Sequence, residues 1–137
     1  MKSYNPKGVI DAEKLGYSHA VEAGGQLYVS GQVGWNENFE TPDSFTEQVR
    51  GAFKNIDTVL QGSGRGKEDI TKVTAYIVDA AAHTDEFLEE WNQWRPGEQY
   101  PCLTILGVAG LAQDEFLVEL EVEIAHKESG ESTARDR

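Results

Sequence analysis

The sequence predicts an α+β fold, a two-layer sandwich in which two helices lie on one face of a mixed sheet. The main observation is apolar periodicity, which alternates between strand and helix spacing and gives the order ββ–α–β–α–ββ. The length of 137 residues suits a single domain. Residues 127–137 contain no large apolar side chain, so we assign the domain to 1–126 and predict a disordered tail at 127–137.

The first half of the chain predicts two strands and a long helix. Residues 18–24 and 26–33 have strand character and are joined by Gly24-Gly25, a pair that tolerates positive φ in a hairpin turn. Residues 41–64 predict a helix, with Ser44 and Glu47 as a capping box at its start. The first few residues of the chain are expected to be loose. The apolar face of the helix consists of Phe45, Val49, Phe53, Ile56 and Leu60.

The second half predicts three more strands and a shorter helix. Residues 69–79 alternate as a strand, and residues 83–94 predict a helix with Thr84 as its cap. Residues 101–108 and 115–125 predict the last two strands. The final strand has one apolar face, consisting of Phe116, Val118, Leu120, Val122 and Ile124, and one acidic face, consisting of Glu119, Glu121 and Glu123.

The stretch YPCLTILGVAGLA, residues 100–112, contains no charged residue, although 26% of the chain is charged. It is too short to span a bilayer, and it contains proline and glycine. We therefore expect it to be buried in the core or to line a subunit interface or a ligand cleft.

The charge balance argues against nucleic-acid and membrane partners. The net charge is −12, from 24 acidic and 12 basic residues, which repels nucleic acid and anionic lipid. The single cysteine and the absence of a signal-peptide pattern favour a cytoplasmic protein. One segment is locally basic, and we expect it to be a solvated helix face and loop; its cations are Arg50, Lys54, Arg65, Lys67 and Lys72.

No pattern predicts a metal site or a catalytic cysteine. His19, His83, His126 and Cys102 are scattered, without the short spacing that zinc ligands have. His19 is expected near a surface, and Cys102 is expected to be a small buried thiol. The glycine-rich residues 62–66 follow a helix, so they predict a helix stop and not a phosphate loop.

Three blocks, GYSHAVEAGGQLYVSGQVG, DITKVTAYIVD and YPCLTILGVAGLAQDEFLVELEVEIA, resemble the RidA/YjgF family of reactive-intermediate deaminases. The resemblance runs from Gly16 to Ala125 and is closest to the YjgH-like branch. It implies a chorismate-mutase-like fold and a homotrimer around a central barrel, with three clefts between neighbouring subunits. It also implies hydrolysis of enamine or imine acids without a metal or cofactor.

The chain differs from the family at the signature motif. RidA proper has Pro-Ala-Arg-Ser/Thr on this strand, and the arginine binds the carboxylate of the substrate with a bidentate fork. The matching residues here are Pro101, Cys102, Leu103 and Thr104, and the reactive cysteine of the family falls at Ile105. Leu103 cannot bind a carboxylate, so the usual 2-imino acids are not the expected substrates.

Other family positions are retained. The resemblance implies that Tyr17 lies at the cleft mouth, that the backbone of Gly31 approaches the ligand, and that Glu119 positions or activates water. Tyr17 and Glu119 are therefore the candidate catalytic residues, and the candidate cleft residues are Gly31, Trp35, Leu103, Thr104 and Ile105. Trp35 can equally serve in packing.

Three functions stay open at this point. The first is hydrolysis of an imine or enamine other than a 2-imino acid, on a small organic ligand bound in the cleft. The second is a non-enzymatic trimer that binds a ligand or a protein. An endoribonuclease activity, attached to some relatives, is disfavoured by the net charge of −12.

Overall fold

The computed structural model describes residues 1–126. It contains two α-helices, α1 (Phe45–Gly62) and α2 (Ala80–Trp94), and short 3₁₀-helices at Ala12–Leu15 and Lys67–Asp69. The seven strands are β1 (Lys2–Tyr4), β2 (Ala20–Ala23), β3 (Gln26–Val29), β4 (Gln32–Val33), β5 (Ile70–Val78), β6 (Cys102–Val108) and β7 (Val118–Ile124).

All seven strands belong to one mixed sheet, in the order β1-β2-β3-β7-β5-β6. The short β4 also pairs with β7, which it meets next to β3. Only the β5–β6 pair is parallel, and α2 connects these two strands. Both helices pack against one face of the sheet and enclose the core, so the predicted two-layer α+β class is confirmed.

The other face of the sheet, which we call the open face, is not covered by any element among residues 1–126. On this face, residues from β3, β7, β5 and β6 lie opposite each other in the strand registers. Its side chains mix charge, hydroxyl and apolar character: Tyr28, Lys72, Thr74, Tyr76, Cys102, Thr104, Leu106, Glu119, Glu121 and Glu123.

The hairpin between β2 and β3 turns at Gly24 and Gly25, as predicted. Their φ angles are 60° and 82°, values that only glycine adopts without strain at two successive positions. The register pairs Ala20 with Val29.

Helix α1 starts as the capping pattern predicts. The hydroxyl of Ser44 accepts a hydrogen bond from the backbone N–H of Glu47 at 3.1 Å. The helix packs very closely on the chain after β4, because a Cβ at Gly51 would lie 3.0 Å from Cα of Gly34. This backbone-to-backbone contact fixes the segment that follows β4 and carries Trp35.

Helix α2 begins at Ala80, three residues before the predicted start at residue 83. Asp79 adopts a left-handed conformation with φ of 56°, which turns the chain directly from β5 into the helix. The predicted cap was wrong, because Thr84 lies inside the helix and donates its hydroxyl to the carbonyl of Ala80 at 2.7 Å. Phe87 and Trp91 of α2 are buried in the core.

Strand β7 alternates as predicted, with Leu120, Val122 and Ile124 facing the core. The N-terminal residues are not loose, because Lys2–Tyr4 pairs with β2 and the Tyr4 hydroxyl donates to Glu22 at 3.3 Å. The predicted disordered tail lies outside the described residues. Across residues 1–126, neither helix has the combination of length and apolar character that a bilayer crossing requires.

Candidate functional site

A pocket of about 500 Å³ opens beside the first residues of β7. It is bounded by the chain before β2, the connection from β3 to β4, and the segment that leads into β7. We call it the Glu119 pocket. Its lining consists of Leu15, Tyr17, His19, Ser30, Gly31, Gln32, Val33, Trp35, Ala112, Gln113, Phe116 and Glu119.

Glu119 is the carboxylate of this pocket. It lies on β7 between Val33 of β4 and Tyr76 of β5, and it is half-buried. Burial raises the pKa of Glu119 above its usual value, and the negative charge of Glu121 raises it further. A carboxyl group with a raised pKa is better suited to exchange protons with a substrate near neutral pH.

The absence of a side chain at Gly31 makes room for this carboxylate. A Cβ at position 31 would lie 3.0 Å from Cδ of Glu119 and closer still to its Oε2. The predicted cleft residue Gly31 and the predicted catalytic residue Glu119 are therefore in direct contact.

Tyr17 lies at the same pocket and is partly exposed. Burial raises the pKa of the Tyr17 phenol, and the charge of Glu119 adds to this effect. Its ring packs edge-on against His19, with centroids 6.1 Å apart. The phenol therefore stays protonated at neutral pH and can donate a hydrogen bond into the pocket.

His19 forms part of the pocket floor and is only 2% exposed, so the expectation that it lies near a surface was wrong. Its Nε2 lies 2.8 Å from the carbonyl oxygen of Ile10. A carbonyl only accepts, so Nε2 carries the proton, and Nδ1 accepts from the side-chain amide of Gln32 at 3.2 Å. Both ring nitrogens are satisfied, and this permits burial.

Gln32 was not identified from the sequence, although it is 3% exposed and lines the pocket. Its side-chain amide nitrogen also donates to the backbone carbonyl of Ser30 at 3.1 Å. Only the alternation of residues 26–33 gave a signal, and alternation cannot tell a buried glutamine from an exposed one.

Trp35 forms an aromatic wall. It meets Phe39 and Phe116 edge-on, and each centroid distance is 5.1 Å. Its carbonyl accepts a hydrogen bond at 2.9 Å from the side chain of Asn55 on α1. Trp35 thus packs tightly and also lines the pocket, so the two roles considered for it are compatible.

The structure separates the β6 candidates from this pocket. Leu103, Thr104 and Ile105 lie on an edge strand beyond β5, and none of them lines the Glu119 pocket within one chain. Leu103 and Ile105 pack against the helix-covered core, because they share the face of Val73 and Ala75.

Cys102 is exposed, so the expectation of a buried thiol was wrong. It lies opposite Lys72 on the open face, since β6 begins at the sheet edge with its first residue turned away from the helices. Among residues 1–126, no group of three His, Cys, Asp or Glu side chains is arranged to hold a metal ion.

The basic segment does not form a free cationic patch, because two of its five members are paired. Arg50 makes a bidentate contact with Glu90 at 2.8 and 3.1 Å. Arg65 is buried and lies 3.3 Å from a carboxylate oxygen of Glu22. Acidic neighbours within the chain thus neutralise charges that nucleic acid would need.

The fold and the pocket define a class: two-layer α+β proteins with an open mixed sheet and a half-buried carboxylate at its edge. Residues 10–126 match the model of the endoribonuclease L-PSP family, so the chain belongs to this family, which includes the RidA/YjgF proteins. The resemblance identified from the three sequence blocks is confirmed.

Three comparisons illustrate the relationship. A solved structure of protein YjgH superposes with a TM-score of 0.85 at 31% identity, over 93% of this chain and 98% of that one. A RutC family protein of Aquifex aeolicus (strain VF5) is 37% identical over 111 residues, 79% of this chain and 85% of the relative. A protein of Dermatophagoides farinae named 2-iminobutanoate/2-iminopropanoate deaminase is 29% identical over 126 residues, 85% of this chain and 94% of that protein.

Proposed function

We propose that this protein hydrolyses small imines or enamines without a cofactor, in clefts between the subunits of a cytoplasmic homotrimer. The observation that carries the proposal is the geometry at Glu119: a half-buried carboxyl group with a raised pKa, in contact with Gly31 and sharing a pocket with Tyr17. The name of the deaminase from Dermatophagoides farinae supports the same reaction class.

The chemistry needs one group that moves protons. Water adds to the imine carbon while Glu119 accepts one proton from the water, and the protonated Glu119 gives this proton to nitrogen, which yields a neutral carbinolamine with one hydroxyl and one amino group. Glu119 then accepts the hydroxyl proton and passes it to the amino group. The C–N bond breaks as the hydroxyl oxygen becomes a carbonyl, so that imine and water give carbonyl compound and ammonia. Tyr17 can donate a hydrogen bond to nitrogen or oxygen throughout.

The assembly rests on the surface that one chain leaves uncovered. Tyr28 is 61% exposed and Leu106 is 45% exposed, and both lie on the open face. Apolar side chains this exposed on a sheet favour contact with another copy of the sheet. In the proposed trimer, β6 of a neighbour approaches the Glu119 pocket and contributes residues 103–105 to the cleft.

A second candidate is a trimer that binds a small ligand without turnover. The observation that favours it is Leu103, which stands at the position of the carboxylate-binding arginine of RidA proper. Neither candidate calls for nucleic acid or membrane, in keeping with the net charge of −12.

Imine turnover by the purified protein tests the proposal. Imines are generated in situ from a panel of amino acids and amines by the matching oxidases, and their decay is followed with and without the protein. We expect accelerated decay with ammonia release, and a loss of roughly 100-fold in Glu119→Gln. Glu89→Gln, at an exposed carboxylate on α2 and away from the open face, is the control and should keep full activity.

The proposal would be overturned if the protein accelerated the decay of none of the imines, although small molecules raised its melting temperature. That outcome would favour the ligand-binding trimer.

A further inference from the structure

We propose that the Glu119 pocket selects a cationic, N–H-donating group, such as a protonated imine or an amine, carried on a flat apolar body without a carboxylate. The part of this inference that concerns turnover rests on the proposed function, for which it names the substrate class. The binding preference itself follows from three independent features of the pocket.

The first feature is the orientation of the Gln32 amide. Its nitrogen donates to Nδ1 of His19 and to the carbonyl of Ser30, so this nitrogen is held in place by two acceptors. No donor among residues 1–126 reaches Oε1 of Gln32. Among the fully buried side-chain nitrogen and oxygen atoms in that part of the chain, only Nη2 of Arg65 lacks a partner. Oε1 of Gln32 is therefore not sealed from solvent, and Gln32 lines the pocket.

His19 is what fixes this orientation. With Nε2–H donated to Ile10, Nδ1 of the neutral imidazole accepts, and the Gln32 amide cannot flip without bringing two acceptors together. Oε1 of Gln32 is therefore held as an acceptor on a residue that lines the pocket. A ligand group that donates N–H can satisfy it, while a carboxylate cannot.

The second feature is charge. The twelve lining residues include one carboxylate, Glu119, and no lysine or arginine. The uncharged stretch at 100–112, which a neighbour would present in the proposed trimer, also brings no cation. Arg95, at the end of α2, is not among the lining residues; its guanidinium stacks 3.9 Å from the ring centroid of Tyr100 and donates to Asn92 at 2.9 Å.

The third feature is the apolar wall. Leu15, Trp35 and Phe116 line one side of a space of about 500 Å³, and the edge-on packing of Trp35 between two phenylalanines holds its ring in place. Pockets of this volume accept small organic ligands. An aromatic face also attracts a cation placed over it.

With such a substrate the reaction balances in the same way. A protonated imine and water give a carbonyl compound and an ammonium ion. One C–O double bond replaces the C–N double bond, and the positive charge leaves on nitrogen. The carboxylate of Glu119 stabilises the incoming charge and accepts the proton of water.

The test compares three matched ligands by calorimetric titration of the full-length protein: benzamidine (a planar cation), benzoate (a planar anion) and benzyl alcohol (neutral). We expect benzamidine to bind at least roughly tenfold more tightly than benzoate, as a charge-assisted pair predicts. Benzoate binding as tightly as benzamidine would overturn the inference, and so would the failure of benzamidine to bind at millimolar concentration.

Two variants locate the preference. Glu119→Gln keeps the shape and removes the charge, so the benzamidine-to-benzoate ratio should fall roughly tenfold. Gln32→Met keeps the volume and removes the acceptor, and it should weaken benzamidine more than benzyl alcohol. Glu89→Gln, at an exposed carboxylate on α2, is the matched control and should leave the ratio unchanged. An unchanged ratio in both pocket variants would overturn the inference.

The two proposals fail separately. A preference for benzamidine without imine turnover would support the proposed ligand class and refute the proposed hydrolase activity. Turnover of carboxylate-bearing imines together with a preference for benzoate would support the hydrolase activity and refute the ligand class.

Discussion

Substitution of Gly31 by alanine tests the central contact of the pocket. The new Cβ would lie 3.0 Å from Cδ of Glu119 and closer to Oε2, whereas carbon atoms pack at about 3.5–4.0 Å. The carboxylate must therefore move by on the order of 1 Å. It is the end of a flexible side chain, so the rotamer strain costs only about 1 kcal/mol and lowers Tm by ~3–5 °C. If Glu119 is the catalytic group, as proposed, a misplacement of about 1 Å is expected to lower kcat/KM by roughly 100-fold.

Two other glycines give the controls. A Cβ at Gly34 would lie 2.7 Å from Cα of Gln48, and that backbone cannot yield, so Gly34→Ala should cost about 3 kcal/mol. Gly97 has open space around it, and Gly97→Ala should change neither the thermal stability nor the activity. Thermal unfolding and ammonia release are measured on all three variants. If Gly31→Ala retains full activity, then Glu119 is not held in its catalytic position by this contact, and the reasoning is wrong.

Four further predictions concern assembly, pH and charge. Light scattering should give a solution mass three times the 15.2 kDa of one chain; a mass near one chain would contradict the trimer. The pKa of Glu119 is raised above 4.5 in the folded protein, so ionisation of this carboxyl group destabilises the fold once the pH exceeds the pKa of the unfolded chain. Glu119→Gln removes this penalty, and it should therefore raise Tm at pH 8 and have little effect at pH 4. Leu103→Arg should create affinity for small keto acids, measured by titration with pyruvate; a folded variant that still ignores them would mean that the cleft serves other ligands. Glu22→Gln leaves the buried Arg65 without its carboxylate and should cost about 3 kcal/mol in chemical unfolding, while loss of the exposed Arg50 should cost much less, because solvent screens its ion pair.

The sequence predicted the sheet and the long helix well, because their signals are local. The alternation of β7, the Gly24-Gly25 turn and the Ser44 cap each depend on neighbours in the chain. The start of α2 was misjudged because the left-handed conformation of Asp79 has no signature in its residue type alone. The strand β1 was missed because three residues are too few to show a period, and its pairing with β2 is a tertiary contact.

The candidate site was predictable only in part, for a related reason. Periodicity places Glu119, Glu121 and Glu123 on one face and cannot say which of them is half-buried. That difference comes from Gly31 and from the chain before β2, which fold over the start of β7. The burial of His19 depends on partners at Ile10 and Gln32, which lie 9 and 13 residues away. No short-range pattern encodes such a pairing.

The position of β6 at the edge of the sheet has a consequence for the single, unassembled chain. Its seven residues, Cys102–Val108, contain no charge and no proline, and among the described strands only β5 pairs with it. An uncharged outer strand is a template for unwanted strand addition, and natural proteins normally guard such edges with lysine, proline or a bulge. In the proposed trimer this protection comes from burial of the edge, so dilution or mutations that weaken such an assembly are expected to cause aggregation before they cause unfolding. On this proposal, newly made chains depend on finding one another quickly.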